Sequence, residues 1–134
     1  MIDDQSPPGA WKQHFAKMPN GEQSYQIVLP WPPATLSGHN NGHWRGKSAI
    51  VAKHRAWAFQ ATKAARPSVP AKGDILVTVD FYPPDNRSDR LNFPNRMKPY
   101  FDGIAEALGV NDKRFLPAFN FYAPVEGGRV VVTV

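Results

Sequence analysis

The sequence predicts an α+β domain: a small mixed β-sheet with two helices, in the order β-α-β-α-β-β. Three observations lead there. Two segments, Ile50 to Ala65 and Met97 to Leu108, place apolar residues at helical spacing. Short runs rich in β-branched residues, "YQIVLP", "DILVTVDFY" and "RVVVTV", lie before, between and after them. Pro- and Gly-rich punctuation separates every one of these segments, with no internal repeat and no low-complexity tract.

Residues 1–22 hold Pro7, Pro8, Gly9, Pro19 and Gly21 and show no periodicity, so a flexible or loosely docked N-terminal extension is expected, followed by one domain over 23–134. The first strand, "YQIVLP", ends at the prolines of "PWPP". The next segment, "ATLSGHNNGHWRGK", reads as a long working loop. Ser48 is a fair N-cap for the first helix, and Pro67 and Pro70 end it. In the second strand Ile75, Val77, Val79 and Phe81 face one way, and Leu76, Thr78, Asp80 and Tyr82 the other.

The second helix carries Met97, Phe101, Ile104 and Leu108 on one side. Pro99 lacks a backbone donor, so either the helix starts near Lys98 or it is kinked. Gly109 is the expected C-cap. "FNFYAPV", a turn at "EGG" and "RVVVTV" read as a closing β-hairpin.

The chain has 134 residues, 42% of them hydrophobic, which suits a single core. Lys and Arg number 16 against 11 Asp and Glu, a net charge of +5. That balance favours a polyanionic partner. The absence of cysteine excludes disulfides, thiol chemistry and Cys-based zinc sites. His39 and His43 have a spacing of four, but Asn40, Asn41 and Gly42 between them disfavour the helix such a zinc pair needs. No apolar run approaches the roughly 20 residues that span a bilayer. The N-terminus lacks the apolar core of a signal peptide. A cytoplasmic location without membrane attachment is therefore expected.

The chemistry concentrates in "SDRLNFPNRMKPYFDGIAEALGVND", Ser88 to Asp112. Phosphodiester hydrolysis needs a cation that activates water and offsets transition-state charge. Mg²⁺ takes oxygen ligands, usually one or two carboxylates with waters and phosphate oxygens. Asp89 precedes the second helix and Asp112 follows it, and a helix of about ten residues is roughly 15 Å long. The two acids meet only if the chain folds back along the helix. Lys98 and Asp102 share a helix face. They form either an exposed ion pair or a lysine poised to steady a leaving oxygen. Arg87, Arg90, Arg96, Lys113 and Arg114 surround the acids, as neutralising partners or as phosphate contacts. Arg45 and Lys47, beside Trp44 on the early loop, suit phosphate contact combined with base stacking.

From "LPWPP" through "RSDRLNFPNRMKPYFDGIAEALGVNDKRF", the chain resembles the RusA family of Holliday junction resolvases, largely phage or prophage enzymes. The resemblance runs from about residue 25 to the C-terminus. It implies a RusA-like α+β homodimer in a bacterial or phage setting. Such a dimer binds four-way DNA junctions and resolves them by paired symmetric nicks with Mg²⁺, for which Mn²⁺ is a possible substitute. On the same resemblance Asp89 and Asp112 are the metal ligands. Lys98 stabilises the transition state or leaving group, and Asp102 orients Lys98 or acts on the metal indirectly. Asn92 matches the family's asparagine.

Two positions depart from the family pattern. Leu91 falls where a second acid is expected, and Asn111 takes the first place of the final acid pair. A registration with no gap before the lysine sets Asn92 and Pro94 on the first acid pair instead and loses both acids. Two other readings remain open: a non-catalytic protein of the same fold that binds branched DNA, and a basic RNA-binding or assembly module.

Overall fold

The computed structural model describes residues 13–17, 23–37 and 44–134. Strands β1 (Gln13–Lys17), β2 (Gln23–Pro30), β3 (Ile75–Tyr82), β4 (Phe115–Phe121) and β5 (Arg129–Thr133) form one sheet in the order β1-β2-β5-β3-β4. Helices α1 (Trp44–Ala65) and α2 (Lys98–Leu108) complete an α+β fold. From β2 onward the order of elements is the expected β-α-β-α-β-β. β1 adds an antiparallel edge, with Phe15 opposite Tyr25, drawn from the segment expected as an extension. Residues 1–12 and 18–22 of that segment, and His39 and His43, lie outside the described residues.

The alternation in β3 sorts its side chains as its sequence implies. Ile75, Val77, Val79 and Phe81 are buried and Leu76 is exposed. The buried row joins Ile27 and Leu29 of β2 and Val130 and Val132 of β5. On this face lie Ala58, Ala61 and Ala65 of α1 and Tyr100 and Ile104 of α2, with Met97 just before α2. Burying such side chains is worth about 1.5–3 kcal/mol for each large aliphatic or aromatic residue. Tyr100 is fully buried and satisfies its hydroxyl by donating to the Pro30 carbonyl at 2.7 Å. No helix among the described residues is long and apolar enough to cross a membrane.

Two expectations are corrected. First, β4 and β5 do not form a hairpin. β4 lies parallel to β3, and β5 runs antiparallel between β2 and β3. After β4 the chain crosses over the end of β3, where Tyr122 N–H donates to Phe81 O and Val125 N–H to Pro83 O, both at 2.9 Å. The turn at Gly127 and Gly128 then feeds β5 into the far side of β3. Both glycines have positive φ, and a Cβ on Gly128 would stand 2.8 Å from Pro84 Cδ. The very apolar β5 gains a buried central place, while Pro117, which has no donor, sits in β4 at the edge. Second, α1 begins at Trp44, so Ser48 lies inside the helix and is no cap. Gly46 costs a helix about 1 kcal/mol relative to alanine, which does not stop one that packs along its length.

Helix α2 begins at Lys98 with Pro99 in its first turn, and ends at Gly109 in the left-handed region with φ 69°. Gly103 sets its contact with α1: a Cβ there would fall 2.2 Å from the Arg55 carbonyl oxygen and 3.0 Å from Ala58 Cβ. The two helices therefore touch backbone to backbone at this level.

Candidate active site

Three short-range devices bring distant charges together. The chain enters α2 through two 3-10 turns, Arg90–Asn92 and Pro94–Met97, which leave Lys98 as the first helical residue. One turn on, Asp102 Oδ1 lies 2.9 Å from Lys98 Nζ, the pair expected from their spacing. At the other end of the helix, Gly109 N–H reaches the Ala105 and Glu106 carbonyls, and Val110 N–H the Ala105 carbonyl. This closure reverses the chain. Asn111 then caps the 3-10 turn Asp112–Arg114, its Oδ1 accepting from Lys113 N–H at 2.9 Å. The reversal delivers the Asp112 carboxylate to Lys98 Nζ, whose hydrogen bond Oδ2 accepts.

Lys98 is thus bracketed by two carboxylates. Hydrogen bonds to Asp112 first and Asp102 second raise its pKa above the ordinary lysine value. The same contact from Lys98 lowers the pKa of Asp112. At neutral pH Lys98 is therefore a fixed cation and no base, and Asp112 a fixed anion. The place of Asn111 calls for a capping side chain, and Asn caps as well as Asp.

Lys98, Asp102, Asn111 and Asp112 line one open groove, together with Arg55 of α1 and Glu106 of α2. Neither Arg55 nor Glu106 was singled out in the sequence. Glu106 follows Asp102 by four on the same helix face, a signal that was available. Arg55 lies 51 positions from Glu106, and no local pattern links them. The groove holds three carboxylates and two cations.

Asp89 lies in a second hollow, with Pro83, Asp85, Ser88, Arg90 and Phe93, which shares no residue with the first. Its Oδ1 accepts from Leu91 N–H at 3.0 Å and caps the turn that follows. Asp85 is held below the usual carboxylate range by hydrogen bonds from Arg87 N–H and then its guanidinium. Leu91 does not enter the core; it is 81% exposed. Among the described residues, no three His, Asp or Glu side chains stand close enough to hold a metal by themselves. The convergent Asp102 and Asp112 still suit a cation that takes one or two carboxylates and fills its other positions with water and phosphate oxygens.

The expected cationic contacts divide. Arg90 and Lys113 are exposed. Arg87 is exposed and paired with Asp85 at 2.9 Å. Arg114 donates to the carbonyls of Gly73 and Pro70 and ties that loop to the site. Lys47 donates to the Ser37 carbonyl at 3.3 Å, from α1 and not from a loop. Arg45 also falls in the first turn of α1. Arg96 does not belong with the exposed cations. It is 6% exposed, donates to the Pro32 carbonyl at 3.2 Å and lies over the rings of Trp31 and Phe93. Its guanidinium braces the "WPP" segment, and burial lowers its pKa.

Two relatives are similar to the chain over most of its length. An uncharacterized protein of Xylella fastidiosa is 36% identical over 118 residues, 84% of this chain and 77% of that one. The chain belongs to the same family as that protein. A more distant relative, 27% identical over 116 residues, covers 83% of this chain and 93% of its own. It is the crossover junction endodeoxyribonuclease RusA of Shigella sonnei. This second similarity supports the RusA family. No family model matches the chain.

Proposed function

We propose that the protein is a Mg²⁺-dependent endonuclease of the RusA kind, which resolves four-way DNA junctions by paired nicks. The observation that carries this reading is Lys98 held between Asp102 and Asp112 at the edge of an open groove. A lysine with a raised pKa keeps its proton and offers its charge to an oxygen that becomes anionic as a phosphodiester breaks. Asp102 and Asp112 fix the direction of the ammonium. When DNA arrives, its phosphate competes for the lysine's donors and the two carboxylates turn to other partners.

In this proposal Asp112, with Asp102 beside it, would hold the metal, while Asp89, the other expected ligand, stands in the second hollow. Mg²⁺, or Mn²⁺ in its place, would supply positive charge against the scissile phosphate and lower the pKa of a water there. Arg90 and Lys113, both exposed next to the acids, position the backbone without reading sequence. A homodimer follows from the substrate: a symmetric junction presents two equivalent strands, and a two-fold protein presents two equivalent sites.

The test is incubation with a labelled four-way junction, with and without Mg²⁺, beside a duplex of the same length. Paired nicks on the junction alone, dependent on the metal, are the expected result. Junction binding with every strand left intact would instead make the protein a binder without cleavage. Equal binding of junction, duplex and RNA would remove this reading altogether.

A further inference from the structure

We propose that Arg55 is a phosphate-contacting residue of this groove, held in reserve by Glu106 until DNA displaces the carboxylate. The inference rests on the function proposed above and adds a residue from α1 to a site otherwise built by α2 and its flanking segments.

Position comes first. Arg55 lines the groove that contains Lys98, Asp102 and Asp112. Its backbone is fixed there, because its own carbonyl abuts Gly103, where a Cβ would fall 2.2 Å away. The close helix contact thus sets the root of the side chain, while the side chain as a whole remains half exposed.

The pairing comes second. Arg55 Nε donates to Glu106 Oε2 at 3.1 Å, and Nη2 lies 3.0 Å from that same oxygen. Both groups crowd onto one carboxylate oxygen, and a guanidinium has five N–H donors. The remaining donors are open to another anion. Both side chains are about half exposed, 51% and 52%, and exposed pairs of this kind are weakly held. A phosphate, which matches the guanidinium fork with two oxygens, competes well for it.

The charge balance comes third. Lys98 is already shared by two carboxylates, so Arg55 is the groove cation with the lighter commitment. Glu106 neutralises it in the free protein. Neutralising Glu106 instead should release the arginine to DNA and remove a repulsion from the incoming phosphate.

The experiment measures binding of the full chain to a labelled four-way junction across a salt series without divalent metal, for wild type, Arg55→Ala, Arg55→Lys and Glu106→Gln. Arg55→Ala should weaken binding roughly ten-fold, as the loss of a charge-assisted hydrogen bond does. It should also lower the slope of log K against log salt by about 0.9, one phosphate contact. Arg55→Lys should keep the slope and lose affinity, because the charge remains and the fork is gone. Glu106→Gln should bind more tightly than wild type. If the pair serves only to clasp α1 to α2, Arg55→Ala and Glu106→Gln should change binding alike, or not at all, and lower the thermal midpoint together. That result, with wild type binding normally, overturns the role given to Arg55 and leaves the function standing. Wild type that does not bind the junction overturns both.

Discussion

Lys98 and Asp112 stand 14 positions apart, one opening α2 and the other beyond its end, yet their side chains are joined by a hydrogen-bonded ion pair. An extended continuation after the helix would carry Asp112 away from Lys98. The left-handed Gly109 and the capping Asn111 turn the chain back, so two local conformational choices create the contact. The charges that matter are thereby mounted on a rigid helix and its immediate closure.

Acid and alkali should act on this pair in opposite ways. Asp112 has a folded pKa below its ordinary value of 3.8. Its stabilising contribution is present above 3.8 and is lost as pH falls through the lowered folded value. Lys98 has a folded pKa above its ordinary value of 10.5. Its contribution is complete below 10.5 and is lost as pH rises through the raised folded value. The stability difference between wild type and Asp112→Asn should therefore hold steady from about pH 5 to 9 and vanish in strong acid. Denaturant melts at a series of pH values check this. A difference that grows as the pH falls below 3.8 would contradict it.

Gly103→Ala should destabilise the protein by on the order of 1–3 kcal/mol or more, since the added methyl meets a backbone oxygen that has no rotamer to move into. Urea unfolding measures it. The same change should separate α1 from α2 and disturb the Arg55–Glu106 pair. A variant as stable as wild type would mean that the helices are not in the close contact described.

Leu91→Asp should leave stability within about 0.5 kcal/mol, because the side chain is 81% exposed and replaces nothing in the core. If position 91 is the place of a missing site acid, junction cleavage at low Mg²⁺ should rise, since Mg²⁺ favours charged oxygen ligands. A thermal melt and a Mg²⁺ titration of cleavage check the two halves separately. A large fall in midpoint would contradict the exposed position. An unchanged titration would leave Leu91 without a part in metal binding.

Much of this architecture was legible because it is local. The two-residue alternation in β3, the helical spacing in α2, Pro99 in a first turn and Gly109 at a C-cap depend on near neighbours. So does the Lys98–Asp102 pair. What was not legible depends on tertiary context. The terminal strands read as a hairpin because a Gly-rich turn joins two apolar runs. Which edge of β3 each run takes is decided by long-range packing. Arg96 sits among other cations in sequence, and nothing local distinguishes the one that folds under Trp31. The meeting of Arg55 with Glu106 follows from Gly103, a residue whose role is visible only once α1 lies against it.

The most direct measurement is junction cleavage and junction binding by Asp112→Asn beside wild type, in Mg²⁺. Binding should be kept or tightened, because a negative charge next to phosphate is removed, while cleavage should fall by at least about a hundred-fold, as loss of a charge that stabilises a transition state does. Cleavage at the wild-type rate would contradict the place given to Asp112 and the groove around Lys98.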